Sequence, residues 1–586
     1  MRARSPSRVP LSAAALALAL ALAPADARAP NIIWLQTDSM DGRMLDPTSP
    51  YYEKVFLRGV KADLVANGAT FARHFTASPQ CVPSRTSMMT GRYVHEMDTT
   101  NNGQGLARST KTGKLDSNCV LTWNATSCAA FAALQNQSYT FLDLLGSAGY
   151  DLQLFARFDV GAGVLDDYPQ HGPTGDGFHG GPDLGILARG ASIPGATKEE
   201  PFSYTQDNAT NPYAADQAVG KDVAKFLENH DPASEKPFFL WMGLIAPHPP
   251  YVTSAEYLSH VNMSAADAPM DVCQPDRASM HPYDLQMSTL KNCGQRDYSQ
   301  AELLTMRTTY WAAVGEAMEI VESVISAARS SGHLNNTVVL YTSDHGEMSM
   351  EHRMDYKNNL REPSLRVPLI IAPFNVPRFA AGGFAPSTVT SLSSHVDILP
   401  TLLDLAGAGA PPPEVRGRSL VPLMLPSASA SASASAAPAL APREFIAAEY
   451  HSNLGDTGAF AIRTDRWKLI TFARATFSWF ETYVDQLFDL DADPYELTNV
   501  AAQNAAVVAQ LRAQLEGEFG SLDAIDAAQM ARNYARFKDH FADVLTHDAL
   551  LKAFAATFKN VSAAALEVDV GRWMNASEAR FGRRVV

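Results

Sequence analysis

The chain has 586 residues, 46% hydrophobic and 19% charged, an ordinary globular composition too long for one small domain. Its 62 acidic against 47 basic residues give a net charge of −15 with histidine neutral, and it carries no Lys/Arg-rich run, which argues against a nucleic-acid partner. An anionic ligand would have to meet a few cations gathered in a cleft rather than a basic surface.

In chain order, Arg2, Arg4 and Arg8 precede the apolar run LSAAALALALALA (11–23), and ARA (27–29) suits a cleavage site. This reads as a signal peptide over 1–29. The run is shorter than the roughly 20 residues that a bilayer core requires, so stable membrane insertion is not expected. The expected destination is the secretory pathway, ending in a lysosome-like compartment or outside the cell.

NIIWLQT (31–37) reads as a buried strand ending at Asp38. PQCVPSRTSMMTGR (79–92) follows. Pro83 suits a first helical turn, SRTSMMT has helical character, and Gly91 is a plausible stop. Cys81 then sits at a helix N-terminus, where backbone N–H groups favour anions. Arg85 adds a full charge one turn on. On these grounds alone Cys81 is either a reactive thiolate, a buried structural cysteine or half of a disulfide.

The other cysteines fall in local pairs, Cys119 with Cys128 and Cys273 with Cys293, and those two bridges are the expectation; four cysteines also allow two other connectivities. N-x-[ST] sequons stand at Asn124, Asn136, Asn208, Asn262, Asn335, Asn560 and Asn575, as in a secreted glycoprotein.

PFFLWMGL (237–244), TVVLYTS (337–343) and VPLIIAPF (367–374) read as further buried strands, and residues 301–332 as a long helix or a helix pair. Helix-then-strand alternation implies an α/β fold with a large, mostly parallel sheet flanked by helices, whose ligands sit at the strands' carboxyl ends. His248 (IAPHPPY), Asp344 and His345 (TSDHGE) lie at such ends. PSASASASASAAPALAP (426–442) is low-complexity linker or loop. The organisation read from this is a catalytic domain over 30–425 and a smaller C-terminal subdomain with an antiparallel sheet over 443–586.

Cys81, Pro83, Ser84 and Arg85, followed by Thr90-Gly91-Arg92, resemble the signature of the type I, formylglycine-dependent sulfatases. SDHG resembles the branch that acts on iduronate and glucuronate 2-sulfates. The stretches TDSMDGR, SDHGEMSMEHR, RTDRWKLI and LFDLDADPYELTNVA extend the likeness from about residue 31 to about 510.

The resemblance implies an alkaline-phosphatase-like sulfatase fold. It implies that Cys81 is oxidised by the formylglycine-generating enzyme to formylglycine (3-oxoalanine), whose hydrate attacks the sulfur of a sulfated carbohydrate or other sulfate ester. The second hydroxyl then expels sulfate. It implies Ca²⁺ held by Asp38, Cys81, Asp344 and His345, with Asp41 a lesser option where Ser39 replaces the second aspartate of the pair common in the family. It implies that His248 protonates the leaving oxygen, Lys357 contacts sulfate, Arg85 belongs to the catalytic set, and His95 supports the formylglycine loop. Arg157, in LFARFDV, stands where the family carries a catalytic and sulfate-binding lysine. It keeps the charge and can bind sulfate bidentately, but it does not give up a proton, so proton handling falls on His248. Two other readings stay open: a phosphonate monoester or phosphodiester hydrolase of the same superfamily, and an inactive secreted sulfatase-like binding protein.

Overall fold

The structure, a computed structural model, describes residues 28–102, 139–156, 213–290, 296–426, 441–451, 457–473 and 483–541, with isolated positions besides. Most of the leader and of the Ser/Ala/Pro stretch, together with Arg157, Cys119 and Cys293, lies outside the described residues. Among the described residues no helix is long and apolar enough to cross a membrane.

The central strand Asn31–Thr37 is buried along its whole length, which explains its unbroken apolar sequence. Ile33 and Leu35 enter one core, with the helices Ala214–Asn229 and Gln300–Ser330. Ile32 and Trp34 enter another, with Phe141–Ser147 and Ile398–Ala406. Trp34 stacks on Trp241 at 5.3 Å and packs on Phe141 at 5.0 Å, centroid to centroid. Residues 301–332 form one helix, Gln300–Ser330, capped by Ser299 and Glu302.

Among the described residues the large sheet has eight strands, in the order Ser387–Val389, Ala69–Phe71, Leu369–Phe374, Thr337–Ser343, Asn31–Thr37, Phe238–Gly243, Asp151–Ala156, Gln170–His171. Asn31–Thr37 lies parallel between Phe238–Gly243 and Thr337–Ser343, with Gln36 opposite Gly243 and Thr37 opposite Ser343. Three strands therefore end together, and Asp38, the loop to His248, and Asp344 leave from one rim.

The expected strand 367–374 divides at Pro368, which has no N–H for a ladder. Arg366–Val367 pairs with His74–Phe75, and Leu369–Phe374 joins the large sheet antiparallel to Thr337–Ser343. An antiparallel return means the chain leaves and re-enters the sheet at the same end. The whole excursion 344–368 is thus held over the rim where Asp38 emerges.

A four-stranded antiparallel sheet, Ile446–Tyr450, Ala459–Arg463, Trp467–Phe472 and Gln486–Asp489, packs with the helix Ala505–Phe519 around a separate apolar core.

The cysteine expectation needs correction. Cys273 is a free thiol and forms no bridge to Cys293. It ends the short helix Met270–Cys273, enclosed by Leu303, Tyr298 and Met350, with Sγ 4.0 Å from Arg307 Nη1. Sequence spacing limits only reach; here the Cβ direction leads into the core. Burial pushes this thiol up to about 11, so it is inert. Cys128 is disulfide-bonded, to a partner outside the described residues. Cys81 is not in a disulfide. Of the sequons, Asn262 and Asn335 are described, and both are exposed.

Candidate active site

Cys81 opens the helix Cys81–Thr90, all of which is buried. Pro83 sits in the first turn, where its missing N–H breaks no helical bond. Gly91 ends the helix at φ +66°, and a Cβ there would approach Val415 Cγ1 to 2.8 Å, so glycine is required on both counts. Asn102 Oδ1 accepts from the Val82 N–H at 3.2 Å and steadies the first turn.

The strand ends deliver the partners. Cys81 Sγ lies 3.6 Å from Asp38 Oδ2 and 3.5 Å from His345 Nε2. Arg85 joins the two acids, its Nη2 2.9 Å from Asp38 Oδ2 and its Nε 3.0 Å from Asp344 Oδ2. Ser39, held at φ +67°, donates its N–H to Asp344 Oδ1 and its hydroxyl to Asp38 Oδ1, each at 3.2 Å. A neutral donor thus stands where a second aspartate would add a third carboxylate. Asp41 takes no part: its carboxylate pairs with Arg43 at 2.7 Å, and Arg43 in turn meets Glu351 at 2.8 Å. His345 donates Nδ1–H toward the Gly346 carbonyl at 3.0 Å, which turns Nε2 into the cluster. Gly346 must be glycine, because a Cβ would fall 2.0 Å from the Pro363 carbonyl oxygen.

Lys357 comes from the excursion over the rim. Its Nζ donates to Cys81 Sγ, lies 2.7 Å from His345 Nε2, and rests 4.1 Å above the Tyr356 ring. Tyr356, which the sequence reading passed over, has its hydroxyl 3.9 Å from Cys81 Sγ and 2.5 Å from His248 Nε2. Glu347 was also passed over. It receives the Tyr251 hydroxyl at 2.6 Å and the backbone N–H groups of Ser349 at 3.0 Å and Tyr356 at 2.5 Å, anchoring the excursion. Tyr356 lies outside SDHGEMSMEHR, and Glu347, though inside it, carries no local sign of the anchoring role it plays. His95 is held elsewhere, with Nδ1 2.9 Å from Glu449 Oε1 on the antiparallel sheet.

Asp38, Cys81, Asp344 and His345 place one ligand atom each within 4.8 Å of one another, all buried. Burial pushes the Asp344 carboxyl up to about 6, and the Asp38 carboxylate adds to the rise. Burial would also raise Asp38, but His248, Lys357, His345 and Arg85 outweigh it and hold this acid well below the usual range. Burial, then Lys357, push His345 well below the imidazole range, so its Nε2 carries a lone pair, which faces the Lys357 ammonium. The donor set is two carboxylates, an imidazole and the position-81 side chain, and it suits a divalent cation.

The sulfatase family profile matches residues 30–408, and a profile described as N-sulphoglucosamine sulphohydrolase, C-terminal, matches 350–521. Arylsulfatase K of Bos taurus is 30% identical over 504 residues, covering 83% of this chain and 81% of its own length. Arylsulfatase K of Homo sapiens is 29% identical over 494 residues, covering 81% and 80%. Among solved structures, the phosphonate monoester hydrolase of Agrobacterium radiobacter matches with TM-score 0.58 at 20% identity, over 83% of this chain and 95% of its own. A 2-O GAG sulfatase matches with TM-score 0.58 at 18% identity, over 86% and 94%. At such identities the structures establish the fold alone, the alkaline-phosphatase-like sulfatase fold. The family comes from the sequence matches: the chain belongs to the sulfatases and is a sulfuric ester hydrolase.

Proposed function

We propose that this sulfatase removes sulfate from sulfated glycans, with a 2-O-sulfated uronic acid such as glucuronate as the first candidate substrate. The observation that carries the reading is the convergence on Cys81 of two carboxylates, His345 Nε2 and the Lys357 ammonium at one sheet rim. In this reading Sγ of the encoded cysteine stands in for the hydroxyl oxygens of a formylglycine hydrate. That hydrate supplies the oxygen nucleophile that attacks sulfur. Cys81 is 1% exposed within a fully buried helix, so the formylglycine-generating enzyme has to act on 79–92 before the chain folds, along the secretory pathway.

Asp38, Asp344 and the position-81 oxygen would hold Ca²⁺, with His345 beside it, and the ion supplies positive charge opposite the ester sulfate. Two buried carboxylates, an imidazole nitrogen and the position-81 atom within 4.8 Å of one another support a cation there. Arg85 fixes both carboxylates. Lys357 reaches the nucleophile and would bind a sulfate oxygen. His248 would protonate the leaving oxygen. The uronate preference rests on the SDHG branch likeness and the arylsulfatase K relatives.

Mass spectrometry of the tryptic peptide containing Cys81, from a host with the generating enzyme, is expected to show the aldehyde or its hydrate in place of the thiol. An unmodified cysteine would sink this mechanism. Defined oligosaccharides bearing 2-O-sulfated glucuronate or iduronate then test the substrate. Preference for an aryl phosphodiester over every sulfate ester would reject the glycan assignment.

A further inference from the structure

His248 sits beyond the strand Phe238–Gly243, in a loop fixed by Asp216, whose carboxylate receives the N–H groups of Ile245 and Ala246 at 3.1 and 2.6 Å. Its Nδ1 lies 2.6 Å from the Pro249 carbonyl oxygen. A carbonyl only accepts, so Nδ1 carries the hydrogen. In the neutral ring Nε2 is then the lone-pair nitrogen and the one nitrogen left for chemistry. The Tyr356 hydroxyl lies 2.5 Å from that atom and therefore donates to it.

The phenol is built into place. Tyr356 has φ +59°, a conformation unfavourable to a bulky L-residue, and its N–H is pinned by Glu347. Its ring meets His248 edge-on at 4.9 Å and His345 edge-on at 5.6 Å, and carries the Lys357 ammonium on its face. A ring needed only as packing would not need its hydroxyl on the working nitrogen of a histidine.

We infer that Tyr356 is a positioning residue for the reaction: its hydroxyl, with the Pro249 carbonyl, fixes the plane of His248, so that Nε2, once it has bound a proton from solvent to form the imidazolium, gives that proton to the leaving oxygen beside residue 81 and returns to the neutral ring that accepts from the phenol. The inference rests on His248 as the acid for the leaving oxygen. Without the hydroxyl, residue 81 loses one contact at 3.9 Å but keeps Asp38, His345 and Lys357, so the loss on removing the hydroxyl must depend chiefly on how badly the leaving group needs a proton.

The test uses a series of aryl sulfates with phenol pKa values from about 5 to about 10, spanning leaving groups that do and do not need an acid. They are turned over by the full-length modified enzyme and by Tyr356→Phe, His248→Ala and the double variant. Tyr356→Phe keeps the ring under Lys357. For the least acidic phenols His248→Ala is expected to lose on the order of 10²-fold or more in kcat/KM and Tyr356→Phe about 10-fold or more. Both losses should shrink toward unity for the most acidic phenols. The double variant should be no slower than His248→Ala by more than about twofold, because residues acting as one unit are not additive. Replacing Tyr356 by 4-aminophenylalanine, which keeps a donor at the ring's para position, should restore the wild-type dependence. A uniform loss across the series in Tyr356→Phe, losses that multiply in the double variant, or a 4-aminophenylalanine enzyme that behaves like the Phe variant would each overturn the inference. A flat His248→Ala series would instead remove the acid role of His248 itself, and the positioning role with it, while leaving sulfate ester hydrolysis untouched.

Discussion

Two buried charged layers share the segment 357–362, Lys357 reaching one and Arg361 and Glu362 the other, and they turn similar residue types to opposite ends. At the rim, Asp38 and Asp344 converge on Cys81 with Arg85 between them, and Asp344 is pushed up to about 6 by burial and by its neighbouring acid. Below, Glu362 meets Lys468 at 3.3 Å and Arg463 at 3.7 Å, Lys468 meets Glu496 at 2.9 Å, and Arg361 meets Asp284 at 2.5 Å. Burial would raise Glu362, but Lys468 and Arg463 outweigh it and bring it down to about 2. Acids matched with cations fall, and the layer joins the antiparallel sheet to the catalytic loop. An acid left facing another acid rises, and leaves a place for a cation and a reaction. Asp38 at the rim falls as Glu362 does, under His248, Lys357, His345 and Arg85; Asp344, left with the crowding of the pair, is the acid that sets the rim apart.

The largest expected effect breaks the rim at its centre. Cys81→Ser should lose at least on the order of 10⁴-fold in kcat, because a serine hydroxyl cannot supply the hydrated aldehyde, while the unfolding midpoint stays near that of the parent. Turnover close to the wild-type rate would mean that the nucleophile lies elsewhere. Asp344→Asn comes next. It should lower both the bound-metal content, read by elemental analysis, and kcat, the latter by at least about 10²-fold. The metal-free variant should melt no lower than the metal-free parent, since the change relieves two crowded carboxylates. A sharply lower midpoint would show that Asp344 is held as the lower layer is held.

How far the sequence carries differs between the layers for the same physical reason. Buried parallel strands declare themselves as apolar runs, so Asn31–Thr37, Phe238–Gly243 and Thr337–Ser343 are legible to within a residue, and with them the rim positions Asp38, His248 and Asp344. The place of Cys81 at a helix start is legible because proline and glycine stop are local chemistry; its role is legible only through the resemblance. Tyr356 and Glu347 are not, because their roles depend on a backbone excursion that folds back over the rim. The antiparallel return of Leu369–Phe374, which creates that excursion, is set by pairing rather than by pattern. The Cys273 bridge failed likewise, since spacing carries no side-chain direction. Lys468 within RTDRWKLI resembles any surface lysine on a hairpin, yet it is fully buried between two glutamates.

That lysine gives the third test. Lys468→Met removes the cation and leaves Glu362 and Glu496 buried without it. Breaking a buried pair from one side costs about 3–5 kcal/mol, so the denaturation midpoint should fall clearly. The metal content of the folded protein should stay near that of the parent, in contrast to Asp344→Asn. A loss below about 1 kcal/mol would mean that the lower layer acts as a solvated surface network.

The smallest effect is the most discriminating, because Glu362 and Asp344 must respond to pH with opposite sign. Glu362 has its folded value, about 2, below its ordinary 4.5. Its contribution to stability is therefore present above pH 4.5 and is lost as pH falls from there toward 2. Asp344, in metal-free protein, has its folded value, about 6, above its ordinary 3.8. The folded state binds the proton more tightly, so its contribution is fully present below pH 3.8 and is lost as pH rises through about 6. Midpoints measured for each variant as a difference from the parent cancel the titration of groups remote from the mutated acid. The difference for Glu362→Gln should narrow as pH falls below 4.5, while that for metal-free Asp344→Asn should move in the variant's favour between pH 3.8 and 6. Added Ca²⁺ should abolish the second trend and leave the first untouched, because only the rim acids would face the ion. Parallel trends in the two variants would mean that the rim is an ion-pair layer like the one beneath it, and that its metal lies elsewhere.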